Sequence, residues 1–559
     1  MKKLLLLSFI AISLMACTAK TVGDTTYKYA YLYKDLPFDM PHVKPPTFPK
    51  TEVNLLNYGG TPDGITLNTD AFESAMADLS KKGGGTLIVP KGVWFTGPIV
   101  FRSNINLHLQ QGALILFSPD FDLYPLVETS FEGLDTRRCQ SPISGYELEN
   151  IAITGEGSIN GSGQAWRPLK KGKVSDNHWK KVVSSGGVVN KKGDIWYPSE
   201  GSLKGQELSS MNTPDANMTE AQWQEVKDFL RPVMVSFIKC KNVFFEGVLM
   251  ENSPAWNVHP LMCENVILDG VFIRNPGYSQ NGDGLDLESC LNSIVVNSKF
   301  DVGDDGICIK SGKDEDGRRR GIPTENVIVY NCKVFQGHGG FVVGSEMSGG
   351  VKNVVVKNCQ FLGTDVGLRF KSNRERGGVV ENIYISDIYM FDIATDSFLF
   401  DLYYGGKSAS ESLEDGDVTP VDEVLPPVTE KTPAFKNIYV KDLVSRNART
   451  AMFFNGLPEM NIENINVENA FITSEYGAQL NESKDINFKN VTVISKKGAP
   501  YILNNVKNFN GENMYSKDNL EGSLVEVNGR KTEDINIKGV SADKVKASSS
   551  VNESAVTVK

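Results

Sequence analysis

Helix-length amphipathic stretches are nearly absent from this chain of 559 residues, which removes the wound α/β folds. No Cys-x-x-Cys pair occurs, and the 5 histidines (His42, His108, His178, His259 and His338) are scattered, so no zinc site is expected. Long Lys/Arg stripes are missing too. With 58 basic against 68 acidic residues the net charge is −10, and the basic footprint of a nucleic-acid binder is not there. Gly 52 and Pro 25 are near average use, which excludes collagen-like and low-complexity chains. What is present is 40% hydrophobic residues on a long chain, enough for a large core.

The first residues read as a targeting segment. Lys2 and Lys3 precede the apolar run Leu4 to Ala16, too short to span a bilayer as a mature helix. The run ends in Leu14-Met15-Ala16-Cys17, which resembles a bacterial lipoprotein signal with Cys17 as the lipidated residue. The expectation is export, with periplasmic or surface anchoring through that lipid and no other membrane contact. Without Cys17, the 8 cysteines fall to an odd 7. Cys263 and Cys290 are 27 apart, as are Cys332 and Cys359, a regularity that suits stacked core positions better than a disulfide framework.

That regularity belongs to a repeat. An Asn followed by alternating apolar residues recurs at Asn242, Asn265, Asn292, Asn326, Asn353 and Asn382, then at Asn437, Asn464 and, with Asp, at Asp485. The steps are 23, 27, 34, 27, 29, 55, 27 and 21 residues, and Asn104 and Asn150 look like earlier members. Each unit is a short β-branched strand, a turn rich in Asn, Gly and Asp, and another short strand. One such unit cannot bury its apolar face alone, whereas stacked units share a continuous core. Propeller blades need about 40 to 45 residues each. The steps here predict an all-β fold, a right-handed parallel β-helix, with Asn ladders satisfying turn backbone groups.

The open N-terminal edge of such a stack needs a cover. Residues 69–82 supply a capping helix, with Thr69 or Asp70 as its cap, Phe72, Met76 and Leu79 as its apolar stripe and Gly83 as its stop. The chain therefore divides into a signal (1–17), a Pro-rich tether and lead-in (18–50), a β-helix domain (51–545) and a polar tail (546–559). Two segments break the period. Residues 161–232 carry Trp166, Trp179, Trp196 and Trp223, and residues 405–434 are acidic and Pro-rich.

The charged residues among the coils fall at coil intervals. Asn281-Gly282-Asp283, Gly303-Asp304-Asp305, Gly337-His338-Gly339 and Arg369-Phe370-Lys371 are separated by 22 residues (Asp283 to Asp305), 33 (Asp305 to His338) and 31 (His338 to Arg369). Residues one coil apart stack at roughly 4.8 Å, so carboxylates, an imidazole and two cations line one outer wall. Glycoside hydrolysis needs one protonated and one ionised carboxyl, and crowding raises the pKa of one of a set. Carboxylates on adjacent coils can straddle a water, the inverting arrangement, with roughly 6.5 to 9.5 Å between them. Arg369 and Lys371 alternate on one strand and point the same way, suited to a sugar carboxylate.

These four motifs, in this order, resemble the polygalacturonases (pectinases) of family 28 of the glycoside hydrolases, over roughly residues 51–540. Tyr58-Gly59-Gly60-Thr61-Pro62-Asp63-Gly64 resembles the family's N-terminal turn. The resemblance implies hydrolysis of α-1,4-galacturonosidic bonds in polygalacturonate or pectic oligosaccharides by a monomer that needs no cofactor and no metal. It implies Asp304 as general acid, Asp283 and Asp305 activating water, His338 supporting the acid, and Asn281, Arg369, Lys371 and Tyr404 binding substrate. Gly282 replaces the family's usual Thr, and Gly303 stands where Gln is common.

Two other readings remain. Calcium-assisted elimination on the same fold, as in a pectate lyase, would use the same carboxylates. A non-catalytic glycan-binding β-helix would use only the groove. Exo-action is expected from the Trp-bearing insertion, whose indoles can stack on sugars or, when buried, pack loops rigidly, and whose bulk can wall one end of the groove. The acidic loop beyond Tyr404 would crowd the same site.

Overall fold

The computed structural model describes residues 27–210, 212–406, 425–517 and 520–559. Cys17 and most of the acidic segment at 405–434 lie outside them. The chain winds into a right-handed parallel β-helix whose coils run from Glu52–Asn54 to Val556–Val558. Each coil adds a strand to each of three parallel sheets. The sheet that carries the site stacks Ile143–Tyr146, Val235–Ile238, Val258–Leu261, Leu285–Glu288, Asp305–Lys310, Gly339–Gly344 and Val366–Lys371.

The core explains the alternation in the sequence. Val243, Phe245, Val266, Leu268, Leu285, Leu287, Ile307 and Ile309 point inward and are fully buried, one above another through the coils. No single coil could desolvate these side chains alone, so stability resides in coil-to-coil contacts. All seven described cysteines are free and buried, as the 27-residue spacing suggested.

The Asn ladder forms, with a different bonding pattern from the one expected. Asn150, Asn242, Asn265, Asn292, Asn326, Asn353, Asn382, Asn437 and Asn464 each donate from Nδ2 to the Oδ1 of the ladder residue one coil before, at 2.8 to 3.5 Å. The amides thus bond to one another, and most are half-buried. Their backbone gives the deeper reason for Asn: Asn104, Asn150, Asn242 and Asn265 have φ of 62°, 53°, 57° and 60°, in the left-handed region where Asn is tolerated.

Helix α1 (Thr69–Lys81) covers the N-terminal edge, burying Phe72, Ala75, Met76 and Leu79. Its N-cap is Asn68, one residue before the expected Thr69 or Asp70, and the Asn68 Oδ1 accepts from the backbone N–H of Thr61 instead of capping the helix. Two boundaries also shift. The lead-in docks from residue 27: Tyr29, Leu32 and Val43 are buried against Phe244, Ile267 and Ile294, and the Tyr29 hydroxyl donates to Asp269 at 2.9 Å. At the other end, Val556–Val558 pairs with Glu533–Lys538, so the expected polar tail is a final coil.

The remaining helices lie in excursions from the coils. The insertion at 161–232 contains α2 (Asp176–Ser184), α3 (Glu200–Leu208) and α4 (Glu220–Glu225), and α5 (Asp314–Arg320) follows the strand Asp305–Lys310. The four tryptophans of the insertion are buried, so of their two expected roles, stacking on sugar rings and packing loops rigidly, they take the second. Trp166 and Trp223 pack with Tyr124, Phe229 and Leu230, while Trp179 and Trp196 pack with Leu169.

Candidate active site

The starts of three successive strands deliver the carboxylates and the imidazole. Asp283 lies two residues before Leu285–Glu288, Asp304 and Asp305 stand at the start of Asp305–Lys310, and His338 immediately precedes Gly339–Gly344. Gly337, at φ +85°, makes the sharp entry to His338, and a Cβ there would meet the Asp304 carbonyl at 2.5 Å. The departures at Gly282 and Gly303 have one physical cause. A Cβ at either would run into the buried Ser279, whose Oγ would lie at 1.9 and 2.4 Å.

One oxygen each of Asp283, Asp304 and Asp305 lies within 4.8 Å of the others. The nearest oxygens are thus closer than the roughly 6.5 to 9.5 Å expected between the carboxyls of an inverting pair. A water donating two hydrogen bonds of about 2.7 Å spans such a gap. His338 Nδ1 sits 3.1 Å from Asp304 Oδ1. From the next coil, Lys371 Nζ donates to Asp305 Oδ2 at 2.7 Å and Arg369 Nη1 to Asp305 Oδ1 at 3.2 Å. Lys371 is only 6% exposed, so the cations expected to face a sugar are first of all partners of Asp305. The Tyr404 ring lies beside both, 5.1 Å from Lys371 Nζ and 5.7 Å from the Arg369 guanidinium. Asn281 stands one step back, its Oδ1 held by Arg231 Nη2 at 2.9 Å.

These surroundings drive the carboxyls apart electrostatically. Burial, then the charges of Asp304 and Asp286, push Asp283 well above the carboxylate range. Burial alone would raise Asp305 as well, but Lys371, Arg369 and Lys310 hold it down to about 2. The hydrogen bond of its Nδ1–H to Asp304 raises His338, against burial. The surroundings thus push two neighbouring carboxyls in opposite directions, Asp283 toward its neutral form and Asp305 toward its ionised form, the division of roles that acid–base chemistry at a glycosidic bond uses. Only Asp304 of the three reaches a cavity of about 240 Å³, which it lines with His338, Asn281 and residues 277–280.

The model of "Glycosyl hydrolases family 28" matches residues 170–442. The solved structure of a hyperthermoactive exopolygalacturonase from Thermotoga maritima is 33% identical and covers 78% of this chain and 89% of its own, with a TM-score of 0.61. The chain belongs to family 28 of the glycosyl hydrolases. The exo-poly-α-D-galacturonosidase of Dickeya chrysanthemi is 25% identical over 82% of this chain and 73% of its own length. The family 28 exopolygalacturonase of Yersinia enterocolitica, at 21% identity and a TM-score of 0.62, shares the fold over 84% of this chain and 79% of its own.

For a family 28 hydrolase, the buried charges behind the site are the part that motif spacing missed. Lys310 Nζ contacts Glu346 Oε2 at 2.9 Å and Asp286 Oδ1 at 3.4 Å, and lies 4.3 Å over the Trp256 ring. A lone Lys in the buried run Asp305–Lys310 was the available signal, because a cation in such a strand requires a carboxylate partner. Burial, opposed by Lys310 and reinforced by Asp305, pushes Asp286 up to about 8. A carboxyl raised in the folded state contributes stability below its unfolded pKa and loses it as pH rises toward the folded value. Stability is therefore expected to fall between about pH 4 and pH 8, and Asp286→Asn to flatten that slope in thermal melts run across the range. An unchanged slope would remove Asp286 as its source.

Proposed function

We propose that this hydrolase cleaves α-1,4-galacturonosidic bonds of polygalacturonate from a chain end, with inversion at the anomeric carbon. The single observation carrying exo-action is a roof over the groove. On an open β-helix wall, outward side chains of successive coils face solvent. Here His259, Asp286, Glu288, Cys308 and Lys310 point outward yet are at most 3% exposed. The hairpin formed by Leu126–Phe131 and Leu134–Cys139 covers them, its Phe131 stacked on Trp256 at 5.0 Å. Helix α5 closes the cover: Arg320 binds Glu288 at 2.7 Å and Asp135 at 3.1 Å, and the backbone N–H of Lys313 donates to Gly133 at 3.0 Å. A polymer laid along the coils meets this roof next to the carboxylates, which favours a chain end over an internal segment.

In this mechanism the proton that burial places on Asp283 passes within the cluster to Asp304, which delivers it to the glycosidic oxygen from the cavity side. Asp305, kept ionised by Lys371 and Arg369, and Asp283, now ionised, take a proton from the water that attacks the opposite face. His338 holds Asp304 in place. Elimination is disfavoured because both Asp305 oxygens are already engaged by fixed cations at 3.2 and 2.7 Å. A digest of polygalacturonate tests the reading. Mono- or digalacturonate should accumulate from the start with slow viscosity loss, and proton NMR should record the β-anomer before mutarotation. Rapid viscosity loss would end the exo reading, an initial α-anomer the inverting one, and ultraviolet-absorbing unsaturated products the hydrolytic one.

The anchoring proposal rests on Leu14-Met15-Ala16-Cys17 alone. Membrane-bound enzyme should become soluble in a Cys17→Ser variant, and retention on membranes would overturn it.

A further inference from the structure

We infer that Lys170 and Lys173 form a second uronate-recognition site, binding the carboxylate of the sugar on the opposite side of the scissile bond from Arg369 and Lys371. This inference rests on the polygalacturonate reading above and adds to it the residues that read the second charge.

Both lysines belong to the insertion, yet they line the same cavity as Asp304, His338 and Asn281. Among the described residues neither ammonium forms an ion pair or a hydrogen bond, unlike Arg369 and Lys371, whose charge is committed to Asp305. A uronate entering the cavity meets the Asp304 carboxyl, while the charges of Arg369 and Lys371 are already paired with Asp305. Attraction for a second sugar carboxylate therefore falls to the two lysines that line the same cavity with no partner of their own among the described residues.

Their placement is built. The short strand Leu169–Lys170 pairs antiparallel with Ile195–Tyr197, and the N–H of Lys171 donates to Asp194 at 2.8 Å. Beneath it Leu169, Trp179 and Trp196 form a small dry core, and Trp196 Nε1 is tied to the Gly186 carbonyl at 2.7 Å. Tyr278, from the coil that carries Asp283, packs against this core and meets the His178 ring edge-on at 5.2 Å. The tryptophans thus serve as a pedestal that fixes the lysine-bearing segment against the catalytic coil. The two lysines enter from the side of residues 277–281, whereas Arg369 and Lys371 come from the coils beyond His338, so the pairs flank the carboxylates.

The test compares wild type, Lys170→Ala/Lys173→Ala and Lys170→Arg/Lys173→Arg on trigalacturonate and on its fully methyl-esterified form. For the Ala variant KM on the free acid should rise about ten-fold or more, the loss of a charge-assisted hydrogen bond, with kcat nearly unchanged. The Arg variant should retain a near-normal KM, and the neutral ester should be handled alike by all three. An unchanged KM in the Ala variant, or a fall in kcat equal on acid and ester, would overturn the inference while leaving the polygalacturonate reading intact. A wild type inactive on both substrates would overturn that reading and the inference with it.

Discussion

Asp304→Asn is expected to lower turnover on polygalacturonate by at least about 100-fold, the lower range for removal of a general acid. The amide keeps the acceptor that receives the Asp305 N–H at 3.0 Å and that contacts His338, so the local turn should survive. Asp304 is also the most exposed of the three carboxylates, its side chain at 22%, so the substitution leaves no empty volume in the core. What disappears is the proton that reaches the glycosidic oxygen from the cavity. Initial rates at saturating substrate, with thermal melts matching wild type, check this. Retained turnover would shift the acid role to Asp283, which burial pushes toward its neutral form but which does not line the cavity. The neighbouring Asp305→Asn carries a different signature, because Lys371 and Arg369 would lose a buried partner and stability should fall along with rate.

Much of this architecture was legible because a solenoid writes its geometry into one dimension. The Asn spacing fixed the coil, since each ladder position takes the same left-handed turn and the same neighbour. The same periodicity puts Asp283, Asp305, His338 and Arg369 on one wall. What the sequence left dark depends on contacts between excursions that share no period. Gly133 and Lys313 meet across 180 residues of chain to close the roof, and nothing local in either loop marks that pairing. Composition leaves the tryptophans of the insertion a choice between stacking on sugars and packing loops, and the fold places those rings in its own small cores. The role of Arg369 and Lys371 was half visible: their shared direction followed from strand alternation, but their commitment to Asp305 required the distance of one coil to the next.

Lys310→Met carries the largest expected effect on stability, about 3 to 5 kcal/mol, the cost of breaking a buried ion pair from one side. Methionine matches the length of the lysine stem and can still pack over Trp256, so shape is nearly kept. The charge is not. Against burial, Lys310 and then Lys371 and Arg376 hold Glu346 well below its ordinary value, and Lys310 also opposes the burial that raises Asp286. Without the ammonium, Glu346 loses its nearest cation beside an Asp286 that burial already raises, and both carboxyls are pushed upward. They must either take up protons or open the coil, and both routes disturb the successive turns from which Asp283 and Asp305 project. Because coils unfold locally in stacked repeats, the loss should show first as faster hydrogen exchange in Leu285–Glu288 and Asp305–Lys310, ahead of the global denaturant midpoint. Adding Glu346→Gln to Lys310→Met removes one of the stranded charges and should recover part of the stability. A double variant no more stable than the single one would mean that Lys310 acts through packing on Trp256 and not through its charge.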